Sequence, residues 1–220
     1  MKLIQRHGYI EFLRRNRERS IIKVVSGIRR CGKSTLFRLF KDELLAEGVK
    51  PEQIISINFE ELEYEPLREY HRLYQYILNQ MQPNQMNYIF LDEIQHVDQF
   101  HRVVDSLFVK ENTDIYITGS NAYFMSSDIA TLLTGRYVEI QMLPLSFAEF
   151  YYSKYEEQQY SLIPAYEAYL RESSFPYTQQ LGGEDFDIQE YLRGLYNTLL
   201  LHDVVARLKI NDVTILQDIV

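Results

Sequence analysis

Gly27 to Ser34 read Gly-Ile-Arg-Arg-Cys-Gly-Lys-Ser, a complete G-x-x-x-x-G-K-[ST] arrangement. Such spacing suits phosphate binding: consecutive backbone N–H groups and the positive end of a following helix cradle the anion, and the lysine adds a mobile charge. Gly27, Ile28, Arg29, Arg30, Cys31, Gly32, Lys33, Ser34 and Thr35 are therefore expected to hold nucleotide phosphates, with Lys33 also catalytic. Further on, Tyr88-Ile89-Phe90-Leu91-Asp92-Glu93 is an apolar run ending in two adjacent carboxylates, the Walker B pattern. A carboxylate at such a strand end holds the Mg²⁺ that bridges the β- and γ-phosphates, so Asp92 and the Ser34 hydroxyl are the expected metal ligands. The next residue, Glu93, is the expected base for water, which a hydrolase needs and a kinase on this loop does not.

Elements able to position these groups follow from periodicity. Ile21, Ile22, Val24 and Val25 suit a buried strand before the loop, and Thr35 to Lys41 space apolar residues for one helix face. That helix should end near Gly48, a C-cap residue with Pro51 just beyond. Ile4 to Arg15 reads as an earlier helix, and Ile54 to Phe59 as a second strand. Pro66 to Met81 reads as one helix with Leu67, Tyr70, Leu73, Tyr74, Ile77 and Leu78 inward. Phe100 to Val109 is a further amphipathic helix, and Asp114 to Thr118 a fourth strand. Alternating strands and helices imply a parallel sheet with ligand at the strands' carboxyl ends.

At that end of strand four lies the polar run Thr118-Gly119-Ser120-Asn121. Ser120 or Asn121 is expected to orient water or read the γ-phosphate; a turn and helix N-cap would use the same residue types. A short helix follows, and then Arg136 directly precedes strand five. It is read as a catalytic arginine finger reaching a neighbouring subunit's γ-phosphate, against a surface ion pair with an acid such as Glu139. Ser146 and Glu149 form a capping box that opens a new helix.

Charge is unevenly spread. Residues 1–41 carry 12 of the 23 Lys and Arg but two of the 31 Asp and Glu, which leaves +10 there and −18 over the rest. Arg14, Arg15, Arg17 and Arg19 could meet a nucleic acid or acidic partner, but compensation of a helix dipole with solvated charge is the favoured reading. An acidic body would make any nucleic-acid contact local and salt-sensitive. No stretch approaches the ~18 apolar residues of a membrane span. One cysteine excludes an internal disulfide, and together with an ATP-type site it points to the cytoplasm. Cys31, among basic neighbours, is a candidate for a lowered thiol pKa, against a small tolerated loop residue. No Asn-Lys-x-Asp guanine-reading motif follows strand three, so ATP is the expected nucleotide, arriving with Mg²⁺. His96 and His101 lack metal-pair spacing, and the tyrosines after Tyr151 are read as helix packing and surface contact.

Gly27 to Thr35 with its twin arginines, Leu91-Asp92-Glu93-Ile94-Gln95, Ile117-Thr118-Gly119-Ser120, and Gly135-Arg136 before Pro144-Leu145-Ser146-Phe147-Ala148-Glu149-Phe150 occur in order along nearly the whole chain. Together they resemble the bacterial and archaeal predicted ATPases of the AAA+ superfamily, which usually carry a C-terminal domain of unknown function. The resemblance implies an α/β P-loop ATPase core with a five-stranded parallel sheet, order 5-1-4-3-2, followed by a helical segment. It also supports Asp92, Glu93 and Arg136 in the roles above, and through Arg136 a homo-oligomer by analogy. The expected function is a hydrolytic ATPase working as a switch or motor on a macromolecule, a protein or nucleic-acid client, against a slow nucleotide-dependent assembly module. The expected division is a core over 1–145 and a helical segment over 146–220, leading into a C-terminal domain beyond Val220. A nucleotide-sensing lid arginine has three candidates by location, Arg171, Arg193 and Arg207.

Overall fold

Short apolar runs alternate with amphipathic stretches along the first two thirds of the sequence, and five such runs become the strands of a single parallel sheet. The computed structural model describes residues 4–120, 133, 135–155, 160–181 and 185–198. Within Gln5–Leu143, one compact unit, the elements are α1 (His7–Asn16), β1 (Ile22–Gly27), α2 (Lys33–Ala46), β2 (Ile54–Asn58), α3 (Tyr70–Gln80), β3 (Asn87–Asp92), α4 (Phe100–Phe108), β4 (Thr113–Ser120) and β5 (Tyr137–Met142). The sheet runs β2-β3-β4-β1-β5, with every neighbouring pair parallel. This is the expected 5-1-4-3-2 order.

Alternation along the strands divides the core between two faces. Ile22, Val24, Ile89, Leu91, Ile115 and Ile117 pack with Leu73 and Ile77 of α3 and Val103, Val104 and Leu107 of α4. Val25, Phe90 and Tyr116 pack on the other face with Leu13 of α1 and Leu36, Phe37, Phe40 and Leu44 of α2. Because both faces are covered, β1 and β3 are buried from end to end. Such a sheet tolerates a charge only when it is paired. Lys23 and Asp114, both wholly buried, bond each other; Asp114 also accepts from the Tyr116 hydroxyl at 2.7 Å and the Glu18 N–H at 2.8 Å.

Helix α2 closes as its glycine requires. Gly48 lies at φ +94°, with its N–H on Leu45 O at 3.1 Å and the Val49 N–H on Leu44 O at 3.0 Å, a Schellman motif. The expected single helix over 66–81 is instead a 3₁₀ segment, Leu62–Arg68, followed by α3. Glu69, in extended conformation, breaks the two: its carboxylate accepts from the N–H groups of His71 and Arg72 and starts α3 afresh. Two arginines of the basic run at the end of α1 are engaged by acids. Arg14 bonds Glu11 and Glu43, while Arg17 bonds Glu18, Glu47 and the Tyr88 hydroxyl.

A second unit, from Pro144 onward, holds α5 (Phe147–Tyr155), α6 (Leu162–Glu172), the 3₁₀ turn Pro176–Gln180 and α7 (Asp185–Thr198). The Ser146–Glu149 capping box is formed, with the Ser146 N–H on Glu149 Oε2 at 2.8 Å and the Glu149 N–H on Ser146 Oγ at 3.3 Å. Aromatic rings hold α5 to α6: Phe147 meets Tyr166 edge-on at 5.1 Å, and Phe150 meets Tyr169 at 5.3 Å. Arg171 and Arg193 are exposed residues of this unit; Arg207 lies outside the described residues. Among the described residues, no helix is long and apolar enough to cross a membrane.

Candidate functional site

Three strands end at one edge of the sheet, and their carboxyl ends assemble the site. β1 delivers the phosphate loop, β3 delivers Asp92 and Glu93, and β4, lying between them, delivers Thr118. The loop's turn rests on backbone that most residues avoid. Gly32, at φ +104°, caps the N-terminus of α2, and Arg30 is left-handed at φ +64°. At Gly27 a Cβ would stand 2.4 Å from Met142 O and 3.0 Å from Cys31 Sγ, so the loop leaves β1 through a gap that fits only glycine.

Lys33 is buried, and its Nζ donates to Gly27 O at 3.2 Å and Ile28 O at 3.3 Å. The same Nζ lies 3.2 Å from Glu93 Oε1. Asp92 accepts a hydrogen bond from the Thr118 hydroxyl, and the Ser34 hydroxyl nearby also favours its charged form. Burial pushes the Asp92 carboxyl above the usual carboxylate range, against the pull of those two donors; neighbouring Glu93 pushes the same way and Lys33 opposes it. Glu93 follows the strand in a left-handed turn, φ 54° and ψ 49°, and its N–H is fixed by Thr118 Oγ1 at 2.8 Å. Its Oε2 accepts from Gln95 Nε2 at 2.6 Å.

One carboxylate and one nearby hydroxyl, Asp92 and Ser34, are a hard-oxygen donor set that suits Mg²⁺ sharing its shell with phosphates and water. Among the described residues, no cluster of three or more His, Cys, Asp or Glu could hold a metal by itself.

The structure brings Lys33, Ser34, Asp92 and Glu93 together, and it leaves Arg136 elsewhere. Arg136 precedes β5, whose Tyr137 pairs with Ile22 at the start of β1, and the Ile22 N–H donates to Arg136 O at 2.8 Å. That is the amino end of the sheet, one full strand or roughly 20 Å from the phosphate loop at about 3.3 Å per residue. The Arg136 side chain bonds Asp105 of α4 at 2.9 Å and lies over the Phe108 ring. The ion pair anticipated with Glu139 is not formed; Glu139 accepts from the Ser26 hydroxyl instead.

Ser120 is half-buried at the end of β4, paired with Gly27, while Asn121 lies outside the described residues. Thr118 of the same polar run is the residue that touches both carboxylate positions. β4 runs beside β3 with Ile117 opposite Leu91, so the next residue along meets Asp92. Arg6 also escaped the sequence reading. From just before α1 its guanidinium donates to Cys31 O at 3.3 Å and Leu143 O at 2.7 Å, tying the phosphate loop to the end of β5. Cys31 overturns the idea of an acidified thiol. Its side chain is wholly buried in the core beneath the loop, and burial raises the thiol pKa despite Lys33 and Arg6 nearby.

Residues 19–151 match the AAA domain family. The chain belongs to that family. This AAA domain and its helical unit are 37% identical over 221 residues to an uncharacterized protein of Haemophilus influenzae, covering 99% of the chain and 54% of that protein. A second relative, the uncharacterized protein MJ1544 of Methanocaldococcus jannaschii, is 33% identical over 208 residues, 87% of the chain and 44% of that protein. The chain thus spans about half the length of the curated relatives it matches. Among solved structures, the Walker-type ATPase of Pyrococcus abyssi superposes with a TM-score of 0.61 at 16% identity, over 94% of this chain and 76% of that one. AMPPCP-bound DnaA from Aquifex aeolicus superposes at 0.51 and 10% identity, over 89% and 67%. The fold is that of an AAA-type P-loop ATPase, built to bind a nucleotide.

Proposed function

We propose that this AAA domain binds Mg²⁺-ATP and hydrolyses it, as a switch or motor acting on a macromolecule. The observation that carries the reading is Glu93: a carboxylate at the end of β3, next to Asp92, held 3.2 Å from the phosphate-loop lysine. In the reaction the water oxygen bonds to the γ-phosphorus, and the bond from phosphorus to the β–γ bridging oxygen breaks. ADP departs with that electron pair, and the water proton passes to Glu93 and on to phosphate. Loop N–H groups and the N-terminus of α2 hold the phosphates. Lys33, now spread over two carbonyls and Glu93, has stronger partners in phosphate oxygens. Ser34 and Asp92 would hold Mg²⁺, whose chemistry there is to neutralise and orient the β- and γ-oxygens. Thr118 fixes both carboxylate-bearing residues, and Ser120 and Asn121 remain candidates for sensing the γ-phosphate.

Arg136 supports an assembly. At the amino end of the sheet it stands a strand's length from its own phosphate loop, so as a finger it serves a neighbouring copy. The cytoplasm is the proposed setting, and the client is a protein or nucleic acid. A second reading is a slow, nucleotide-dependent assembly module. It is favoured by one observation: both Glu93 oxygens are engaged, by Lys33 and by Gln95.

Paired measurements of ATP affinity and phosphate release for wild type and Glu93→Gln, across a protein concentration series, separate the two readings. Binding by both with release by wild type alone supports hydrolysis with Glu93 as base, and a per-subunit rate rising with concentration supports Arg136 in trans. Binding by both without release by either refutes the hydrolytic reading in favour of the assembly module.

A further inference from the structure

We infer that Gln95 is the positioning residue for Glu93, a role that rests on the hydrolytic reading above. The two oxygens of the Glu93 carboxylate are held by unlike groups. Oε1 faces the Lys33 ammonium at 3.2 Å, and Oε2 accepts from the Gln95 amide at 2.6 Å. Lys33 is a long, mobile cation from a different element, and incoming phosphates compete for it. Gln95 lies two residues beyond Glu93 in the same 3₁₀ turn, Ile94–His96, so it moves with the carboxylate it holds.

The remaining end of the amide shows what the side chain is placed for. Gln95 Oε1 is buried and accepts no hydrogen bond from any described group. Here the donor end is committed to Glu93. The Glu93 backbone is pinned independently by Thr118, in a left-handed conformation that points the side chain toward the loop. With Thr118 holding the main chain and Gln95 holding Oε2, rotation of the carboxylate is stopped at both ends. When phosphates draw Lys33 away, Oε1 is released to take a proton and Oε2 stays anchored.

The test compares wild type, Gln95→Ala and Gln95→Glu in steady-state ATP turnover, with ATP affinity and melting temperature measured alongside and Glu93→Gln as the reference. Gln95→Glu preserves size while replacing the donor with a carboxylate that repels Glu93. The expected result for both variants is a kcat at least about tenfold lower, with KM within about twofold and melting unchanged, the loss a misplaced catalytic group gives. A wild-type kcat in either variant, with Glu93→Gln inactive, overturns the Gln95 role and leaves the base intact. Turnover falling in step with ATP affinity or melting in both variants also overturns it, in favour of a structural residue. Turnover surviving in Glu93→Gln refutes the base itself, and the Gln95 role falls with it.

Discussion

Thr118 gives the sharpest test of how the site is built, because one hydroxyl serves two partners and a near-isosteric substitution removes it. The side chain is wholly buried; its Oγ1 accepts from the Glu93 N–H at 2.8 Å and donates to Asp92 Oδ1. Thr118→Val keeps the shape. It leaves a buried N–H without an acceptor, worth about 1–3 kcal/mol, and removes a charge-assisted bond worth about 1.5–3 kcal/mol. Asp92 keeps the Ser34 donor, which places the expected net loss near the lower half of that sum, about 3 kcal/mol. For a chain of this size each kcal/mol moves the midpoint by about 2–4 °C, so the variant should melt roughly 6–12 °C lower. Thr118→Ser retains the hydroxyl, loses one methyl worth about 0.8 kcal/mol, and should melt within about 3 °C of wild type. Thermal melts followed by far-ultraviolet circular dichroism, without nucleotide and with chelator present, isolate these terms from ligand binding. A Val variant melting within about 2 °C of wild type, or a Ser variant falling as far as Val, would refute the two-bond account.

Other expectations follow from the same geometry. Gly27→Ala forces a methyl to within 2.4 Å of Met142 O; the loop must shift, so nucleotide affinity should fall at least about tenfold in a fluorescence titration, and wild-type affinity would contradict the fit. Cys31 should react with an aromatic disulfide reagent on the order of 100-fold slower in native protein than in urea, since the thiol is reached only by opening; rapid stoichiometric labelling of native protein would refute its burial. Burial and the bond to Glu18 push the Tyr88 hydroxyl up to about 12 from its ordinary value near 10, and Tyr116 is raised too. Between those limits the native state holds more protons than the unfolded chain, so stability should fall as pH rises from about 10 to 12. Urea unfolding across that range should show a shallower decline for Tyr88→Phe, and equal slopes would sink the assignment.

The phosphate loop and the carboxylate pair were legible because each is written in contiguous residues, whereas the order of the sheet was implied by the family resemblance. Gly27 to Thr35 is a local backbone shape, and Tyr88 to Glu93 is a buried strand with its exit marked. The hydroxyl that joins them was not legible in the same way. The sequence run Thr118-Gly119-Ser120-Asn121 offers several polar candidates, and choosing Thr118 requires the register of β4 against β3, which no local pattern carries. The single helix expected over 66–81 failed for a related reason: apolar spacing persists through Glu69, but its carboxylate caps a new helix there. Cys31 misled because charge was read along the chain, whereas the loop turns that side chain downward, away from its neighbours and into the core. Arg136 found its acid 31 residues back, in Asp105 of α4.

Arg136 and the phosphate loop occupy opposite ends of one sheet, so a copy of this chain has two unlike poles. On the finger reading, each pole is half a reaction centre, and copies join head to tail rather than face to face. An open row of n copies then contains n − 1 complete centres, with a bare loop at one end and an idle arginine at the other. A closed ring contains n. Active centres counted against subunits would therefore reveal whether the assembly closes, without an image of it.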